Sequence, residues 1–224
     1  MAQANAPDKR HRRPLVHRGV EIVCSTRFED AARAEGLLAV AGVDEVGRGA
    51  LCGPVVACAV VLGQGFETSG IDDSKRLTAL QREQQAERIR GQALAFGLGS
   101  ADHLEIDRLN ILYATHLAMK RALGELRTSL DLVLIDGRSQ VPELGVRQRP
   151  IVKGDALSVS IAAASIVAKV HRDAIMRECD ARFPGYGLAH NMGYASDDHR
   201  DALRRLGPSE IHRRSFNGTQ PWLF

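Results

Sequence analysis

An apolar segment that ends in two adjacent carboxylates, turns at once on Gly-Arg-Gly and leads into a second apolar run limits the folds open to this chain more than any other feature. It reads Gly42-Val43-Asp44-Glu45-Val46-Gly47-Arg48-Gly49, followed by Gly53-Pro54 and the run Val55 to Leu62. Ala39 to Glu45 has the pattern of one strand and Pro54 to Leu62 that of a second, fully buried one, with Gly47, Gly49 and Gly53 making the connection. Carboxylates at a strand end are costly to hold close together unless cations neutralise them. Glycines flanking an arginine let backbone approach a ligand that a larger side chain would keep away. A carboxylate cation site beside a backbone-lined phosphate or sugar site points to chemistry on nucleic acid.

The rest of the chain alternates short strands and helices. Phe28 to Leu38 reads as a short helix. Asp72-Asp73-Ser74-Lys75 lies in a loop, and Thr78 with Gln81 forms a capping box that opens a helix to about Arg90. Ala93 to Gly99 alternates small with large apolar residues, as a strand with one close-packed face would. Asn110 is placed to cap a long helix to about Arg127. Leu132 to Asp136 and Ile151 to Lys153 are short strands. Ser158 to Cys179 is a strongly apolar helix, Phe183 to Gly187 breaks the chain, and Ser196 caps a final helix to about Leu206. These elements predict an α/β fold: one mixed sheet packed by helices, with a small helical C-terminal section.

A length of 224 residues suits one domain with a small appendage, and a hydrophobic fraction of 44% is ordinary for a globular protein. The formal net charge of +3 excludes a histone-like polycation, while the arginine-rich basic set permits phosphate contact. Residues 1 to 18, with Lys9-Arg10-His11-Arg12-Arg13, read as a disordered basic tail, either a solvated end or a weak electrostatic grip on nucleic acid. The four cysteines, Cys24, Cys52, Cys58 and Cys179, form no CxxC pair, which fits a reduced, cytoplasmic setting. No apolar run is long enough to cross a bilayer, so no membrane partner is expected.

Asp44 and Glu45 end one strand, Asp136 ends another, and Asp155 sits between a strand and a helix. Strand ends gathered at one sheet edge would bring these oxygens together, and hard ions such as Mg²⁺ or Mn²⁺ prefer such ligands. Each acid also has an ordinary reading: Asp155 as a helix cap, Asp136 as a turn residue before Gly137. The histidines His171, His199 and His212 could mimic a metal set, but oxygen chemistry favours the acids.

Taken together, these segments resemble the ribonuclease HII family. Gly42 to Gly49 with Gly53-Pro54-Val55-Val56 looks like its first signature, and Asp72-Asp73-Ser74-Lys75 like its Asp-Ser-Lys loop. Leu134-Ile135-Asp136-Gly137 resembles the strand carrying the third acid. Lys153-Gly154-Asp155, Ser158 and Ile161 to Asp173 are close to its longest motif, and Gly193-Tyr194 and His212 to Phe216 match its C-terminal motifs. The matches are collinear from about residue 40 to 216.

The resemblance implies a ribonuclease H-like fold, a mixed five-stranded sheet flanked by helices with a helical C-terminal extension. The domain limits would be 19–180 for the catalytic part, 181–216 for the extension and 217–224 for a tail. It implies a two-ion Mg²⁺ or Mn²⁺ site on Asp44, Glu45, Asp136 and Asp155, with Asp44 bridging. The reaction would be hydrolysis on the 5′ side of a ribonucleotide, leaving 5′-phosphate and 3′-hydroxyl ends.

Gly47, Arg48 and Gly49 would read the 2′-hydroxyl, and Tyr194 would stack on the neighbouring deoxyribose. A site built to bond a hydroxyl can reject its absence by about 10⁴–10⁵. Ser74, Lys75, Ser158, Ser165, Lys169 and Arg172 are candidate phosphate contacts, Lys75 foremost. The sequence departs from the family pattern at Met192, where a lysine is expected, and at Val46, where alanine is commoner.

The terminus, Gln220-Pro221-Trp222-Leu223-Phe224, resembles the Gln-x-x-Leu-Phe peptides that dock on bacterial sliding clamps; alternatively its aromatics fold back on the domain. The expected protein is therefore a monomeric endoribonuclease of RNA–DNA hybrids and ribonucleotide-containing duplex DNA, serving ribonucleotide excision and primer removal. The competing readings are another nuclease or recombinase with a ribonuclease H-like core, and a hybrid-binding adaptor with an inactive core.

Overall fold

The computed structural model describes residues 16–17, 20–21, 24–72, 74–75 and 77–219. A two-stranded antiparallel ribbon, β1 (Val16–His17) and β2 (Val20–Glu21), leads into helix α1 (Arg27–Ala34). Of the expected basic tail, only Val16 and His17 lie within the described residues. Helix α1 stops short of Leu38 because Gly36 takes a left-handed φ of +82°.

The central sheet comprises β3 (Val40–Val46), β4 (Val55–Val61), β5 (Ala95–Ala101), β6 (Leu132–Asp136) and β7 (Gln148–Ile151). Its order is β5-β4-β3-β6-β7. The pairs β5–β4 and β4–β3 are antiparallel, whereas β3–β6 and β6–β7 are parallel. The sheet is therefore mixed, as the pattern of elements predicted, and five-stranded, as the resemblance implied. Because β3, β6 and β7 run the same way side by side, their C-terminal ends share one edge, where ligands of open α/β sheets gather.

Every residue of β4 is buried because helices cover both sheet faces. Val55, Ala57 and Ala59 pack with Ala114, Ala118 and Ala122 of α3 (His103–Gly124). Val56, Cys58 and Val60 pack on the opposite face with α2 (Ala79–Gln92) and α4 (Val159–Arg182). The small residues read from β5 have a steric cause. A Cβ on Gly97 would lie 2.2 Å from the Ala122 carbonyl oxygen, and one on Gly99 would lie 2.2 Å from that of Ala118. Gly42 serves α4 in the same way, since a Cβ there would fall 2.2 Å from the Ser160 carbonyl carbon.

Three boundaries differ from expectation. Asn110 does cap a helical segment, its Oδ1 accepting from the Leu112 and Tyr113 amides, but φ +63° makes it a kink inside a longer element. The missed first part is opened by Asp102, which forms a reciprocal capping box with Glu105. Strand β7 lies three residues before the expected Ile151 to Lys153, and Lys153 takes a left-handed conformation instead. Proline at Pro150 is tolerated because β7 is an edge strand.

Beyond α4, α5 (Leu188–Asn191) and α6 (Asp197–Leu206) close over Leu51, Cys52, Met176 and Tyr186. Packing continues past residue 216. Thr219 is buried, and its hydroxyl donates to the carbonyls of Phe216 and Arg213. Among the described residues no helix is long and apolar enough to cross a membrane.

Candidate active site

The shared C-terminal edge of β3, β6 and β7 carries a cleft of about 370 Å³. Asp44 and Glu45 line it from the end of β3, Asp136 from the end of β6, and Asp155 from the 3-10 turn Gly154–Ala156 that follows β7. The four acids named from the sequence thus converge on one cavity. Neither ordinary reading accounts for them. The cap of α4 is Ser158, not Asp155. Asp136 Oδ1 does more than close a turn, accepting the Gly154 amide at 2.6 Å. A Cβ on Gly154 would lie 2.6 Å from Ile161 Cδ1 and 3.3 Å from Asp136 Oδ1, so a larger residue there would press on both side chains.

Burial raises the pKa of Asp44 well above the usual carboxylate range, and the charges of Glu45, Asp136 and Asp155 add to it. Burial likewise raises Glu45, against the Arg48 guanidinium, whose Nη1 lies 3.3 Å from Glu45 Oε1. Asp136 is raised by burial and then by Asp155. Neutral ligands would not create this repulsion; divalent cations would relieve it. One cation of the chain already does so in part, as Lys75 Nζ lies 2.8 Å from Asp155 Oδ2. An all-carboxylate oxygen set under mutual repulsion fits Mg²⁺ or Mn²⁺.

Ser74, Lys75, Ser165, Lys169 and Tyr194 line the same cleft. Ser165 opposes the rise in the Asp44 pKa, and its Oγ lies 3.0 Å from that of Ser74. Lys169 Nζ is paired with Asp173 at 2.7 Å. Sequence reasoning missed Arg82, which also lines the cleft and donates to the carbonyls of Ser74 and Leu77, fixing the Lys75 loop from α2. Nothing in its local sequence marks that role.

Two expected phosphate contacts lie elsewhere. Ser158 is fully buried, and its Oγ donates to Glu29 Oε1 at 2.6 Å, tying α1 to the start of α4. Arg172 is also fully buried, bonded to the carbonyls of Pro54, Met192 and Cys52. Both were misplaced because their partners are distant in sequence. Met192 offers its backbone carbonyl to Arg172, a contact indifferent to the lysine expected there. Gly47, Arg48 and Gly49 are not among the residues lining the cleft; they follow directly on Val46, which is. Arg48 lines a smaller cavity of about 40 Å³ with Glu45, Asp136 and Arg138.

Among the described residues, Cys52, His199 and His212 bring three potential ligand atoms within 4.8 Å of one another. Their hydrogen bonds fit a structural role better. The Ser209 amide donates to His212 Nδ1 at 3.0 Å, which leaves the proton on Nε2 facing His199 Nε2 at 3.1 Å. His199 Nδ1 can then donate to the Tyr194 carbonyl at 2.9 Å. Burial pushes His212 down to about 4 and lowers His199, so both rings stay neutral at pH 7.

The sequence model of the family described as Ribonuclease HII matches residues 41–219. The chain belongs to the ribonuclease HII family. It is a ribonuclease H, an endonuclease that hydrolyses phosphodiester bonds in RNA–DNA hybrids. It is 54% identical to the ribonuclease HII of Geobacter metallireducens over 86% of this chain and 90% of that one. The ribonuclease H2 of Pyrococcus horikoshii superposes with a TM-score of 0.67 at 26% identity, over 80% of this chain and 94% of that one. The ribonuclease HII in a PCNA complex from Archaeoglobus fulgidus gives a TM-score of 0.63 at 28% identity, over 75% and 88%. These likenesses exclude the recombinase reading and weigh against the inactive adaptor.

Proposed function

We propose that this ribonuclease H cuts on the 5′ side of ribonucleotides, both in RNA–DNA hybrids and at single ribonucleotides embedded in duplex DNA, leaving 5′-phosphate and 3′-hydroxyl ends. The observation that carries the reading is the convergence of Asp44, Glu45, Asp136 and Asp155 on one cleft with Lys75, Lys169 and Tyr194.

The four carboxylates would hold two Mg²⁺ or Mn²⁺ ions, which when bound supply an activated water and charge stabilisation at the leaving oxygen. The chain's own groups do the rest. The Glu45 amide, which donates to Asp44 Oδ1 at 2.7 Å, orients the Asp44 carboxylate. The Gly154 amide orients Asp136. Lys75, largely exposed, is released from Asp155 to meet a phosphate. The backbone at Gly47 to Gly49 donates to the 2′-hydroxyl, the atom that distinguishes RNA from DNA. The Tyr194 ring, at the rim of the cleft, packs on the next sugar.

The setting proposed is the cytoplasm, in ribonucleotide excision and primer removal, with the protein acting as a monomer. Gln220, Leu223 and Phe224, which lie outside the described residues, form a sliding-clamp peptide in this reading. The Archaeoglobus fulgidus relative, described in complex with PCNA, supports such a partner.

The deciding test uses an end-labelled duplex with one ribonucleotide, Mg²⁺ or Mn²⁺, an Asp44→Asn control and an all-DNA duplex. A single cut 5′ of the ribonucleotide, absent in both controls, is expected. Cleavage of long hybrids alone would refute the single-ribonucleotide reading.

A further inference from the structure

Arg172 and Arg213 are the two largest fully buried side chains among the described residues. Among the described residues their hydrogen bonds all go to backbone carbonyls, none to a carboxylate. Arg213 donates from Nη2 to Gly47 O at 2.7 Å, from Nη1 to Arg48 O at 2.9 Å, and from Nε and Nη2 to Gly53 O at 3.0 and 2.9 Å. Arg172 donates from Nε to Pro54 O at 2.9 Å, from Nη1 to Met192 O at 2.9 Å and from Nη2 to Cys52 O at 3.3 Å. Together they draw the carbonyls at both ends of the 47–54 loop inward and tie that loop to the residues before Tyr194. The Arg172 guanidinium also lies 5.4 Å from the Tyr194 ring centroid.

We propose that Arg172 and Arg213 are a positioning pair for ribose recognition, locking the Gly47–Gly49 backbone and Tyr194 into one unit. This rests on the reading above that these two elements meet the ribonucleotide and its neighbour.

The reason lies in peptide geometry. In a planar trans peptide the carbonyl and the following N–H point in opposite directions. Pinning Gly47 O and Arg48 O to Arg213 therefore turns the amides of Arg48 and Gly49 away from the buried arginine. The space beside the Gly49 Cα is open, since a Cβ there would meet nothing within 4 Å. Gly47 is different: with φ +94°, its missing Cβ is replaced by Arg172, whose Nε would lie 2.1 Å from it. One glycine makes room for the positioning arginine, the other for the ligand.

Burying two guanidinium groups that bond no carboxylate is expensive, and burial lowers the pKa of both, Arg213 to about 10, despite the charges of Asp173 and Asp107. No shorter or neutral side chain presents the planar fork that spans three carbonyls. The backbone ties run in parallel. The Leu51 amide donates to Gly193 O at 2.7 Å, and the Arg213 amide to Leu51 O at 2.9 Å.

The test compares wild type with Arg213→Lys and Arg172→Lys. It uses the single-ribonucleotide duplex and the matched all-DNA duplex, with Mn²⁺ affinity followed by calorimetry. A lysine keeps the charge but cannot bridge the carbonyls. A misplacement of about 1 Å at the reader should lower kcat on the ribonucleotide duplex by about 100-fold. KM and Mn²⁺ affinity should stay near wild type, and methylguanidinium should restore part of the kcat of Arg213→Ala. A fold defect alone would lower the active fraction and the Mn²⁺ binding stoichiometry together.

Wild-type kcat in a folded Arg213→Lys protein would overturn the proposal. Should that variant not fold, Arg172→Lys carries the same test from the Tyr194 side. Failure of both to fold also overturns it, because the pair would then serve the fold rather than the reader. If wild type itself cut without needing a 2′-hydroxyl, the underlying functional reading would fail instead.

Discussion

Gly42→Ala is the sharpest single test of how the sheet positions the site. Gly42 lies on β3 two residues before Asp44, facing the first turn of α4. The added Cβ would stand 2.2 Å from the Ser160 carbonyl carbon, 2.4 Å from the Ile161 nitrogen and 2.5 Å from the Ser160 oxygen. Ordinary contact begins at 3.4 Å, so the helix must withdraw by 3.4 − 2.2, about 1.2 Å. Every struck atom is backbone, and no rotamer change can absorb the clash. Overpacking of this kind costs about 1–3 kcal/mol, and a backbone-on-backbone clash belongs at the upper end. The same withdrawal carries Ser165 away from Asp44 and moves Lys169 relative to the acids. A displacement near 1 Å in a positioned site costs roughly 100-fold in rate. Urea melts should therefore show a loss of about 3 kcal/mol, and the single-ribonucleotide duplex should be cut about 100-fold more slowly at saturation. Gly91→Ala is the control: its Cβ meets nothing within 4 Å, so the swap in α2 should be neutral or stabilising by about 0.5–1 kcal/mol. Wild-type stability and kcat in Gly42→Ala would refute the close packing of α4 on β3 as the source of the site's geometry.

Gly49→Ala should melt within roughly 0.5 kcal/mol of wild type, since the methyl meets no protein atom, yet lose ribonucleotide cleavage; full activity would remove this backbone from the substrate surface. Asp44→Asn tests the electrostatics. A carboxyl whose folded pKa is raised takes up a proton on folding, so stability falls as pH rises through that pKa and recovers as pH drops toward the usual carboxylate range. In EDTA the variant should thus melt above wild type at pH 8, with the gap narrowing as pH falls through the raised pKa, and Mn²⁺ should reverse the order; a pH-independent gap would contradict it. Lys75→Ala should lower the log–log salt slope of substrate binding by about 0.9, and an unchanged slope would take Lys75 off the phosphate list. Removing residues 220–224 should abolish binding to a bacterial sliding clamp and spare cleavage; retained binding would return the tail to a packing role.

The parts of this fold that a reader could take from the sequence are those set by local pattern. Val55 to Leu62 is apolar throughout because helices cover β4 on both faces, and Thr78 with Gln81 announces α2 through a two-way hydrogen bond three residues apart. Asp44, Glu45 and Asp136 were legible as strand-end acids, and Asp155 as an acid between a strand and a helix. What the pattern of any one strand could not supply was that β3, β6 and β7 lie parallel and adjacent, and it is this order that turns separate strand ends into one cleft. Strand β7 was misplaced because its Gln148-Arg149-Pro150 stretch is polar and proline-bearing, which only an edge position tolerates. The errors at Ser158 and Arg172 have another origin. A serine beside a helix start and an arginine one turn from Lys169 look alike whether they face solvent, substrate or core, and what decides between these is Glu29, 129 residues away, and the Pro54 carbonyl, 118 residues away. Charge placed on a helix is read by default as solvated, so the sequence hides its buried cations best where they matter to function. In this chain those cations sit behind the glycine loop, where the flexibility that lets backbone reach a ligand would otherwise leave the reading amides unfixed.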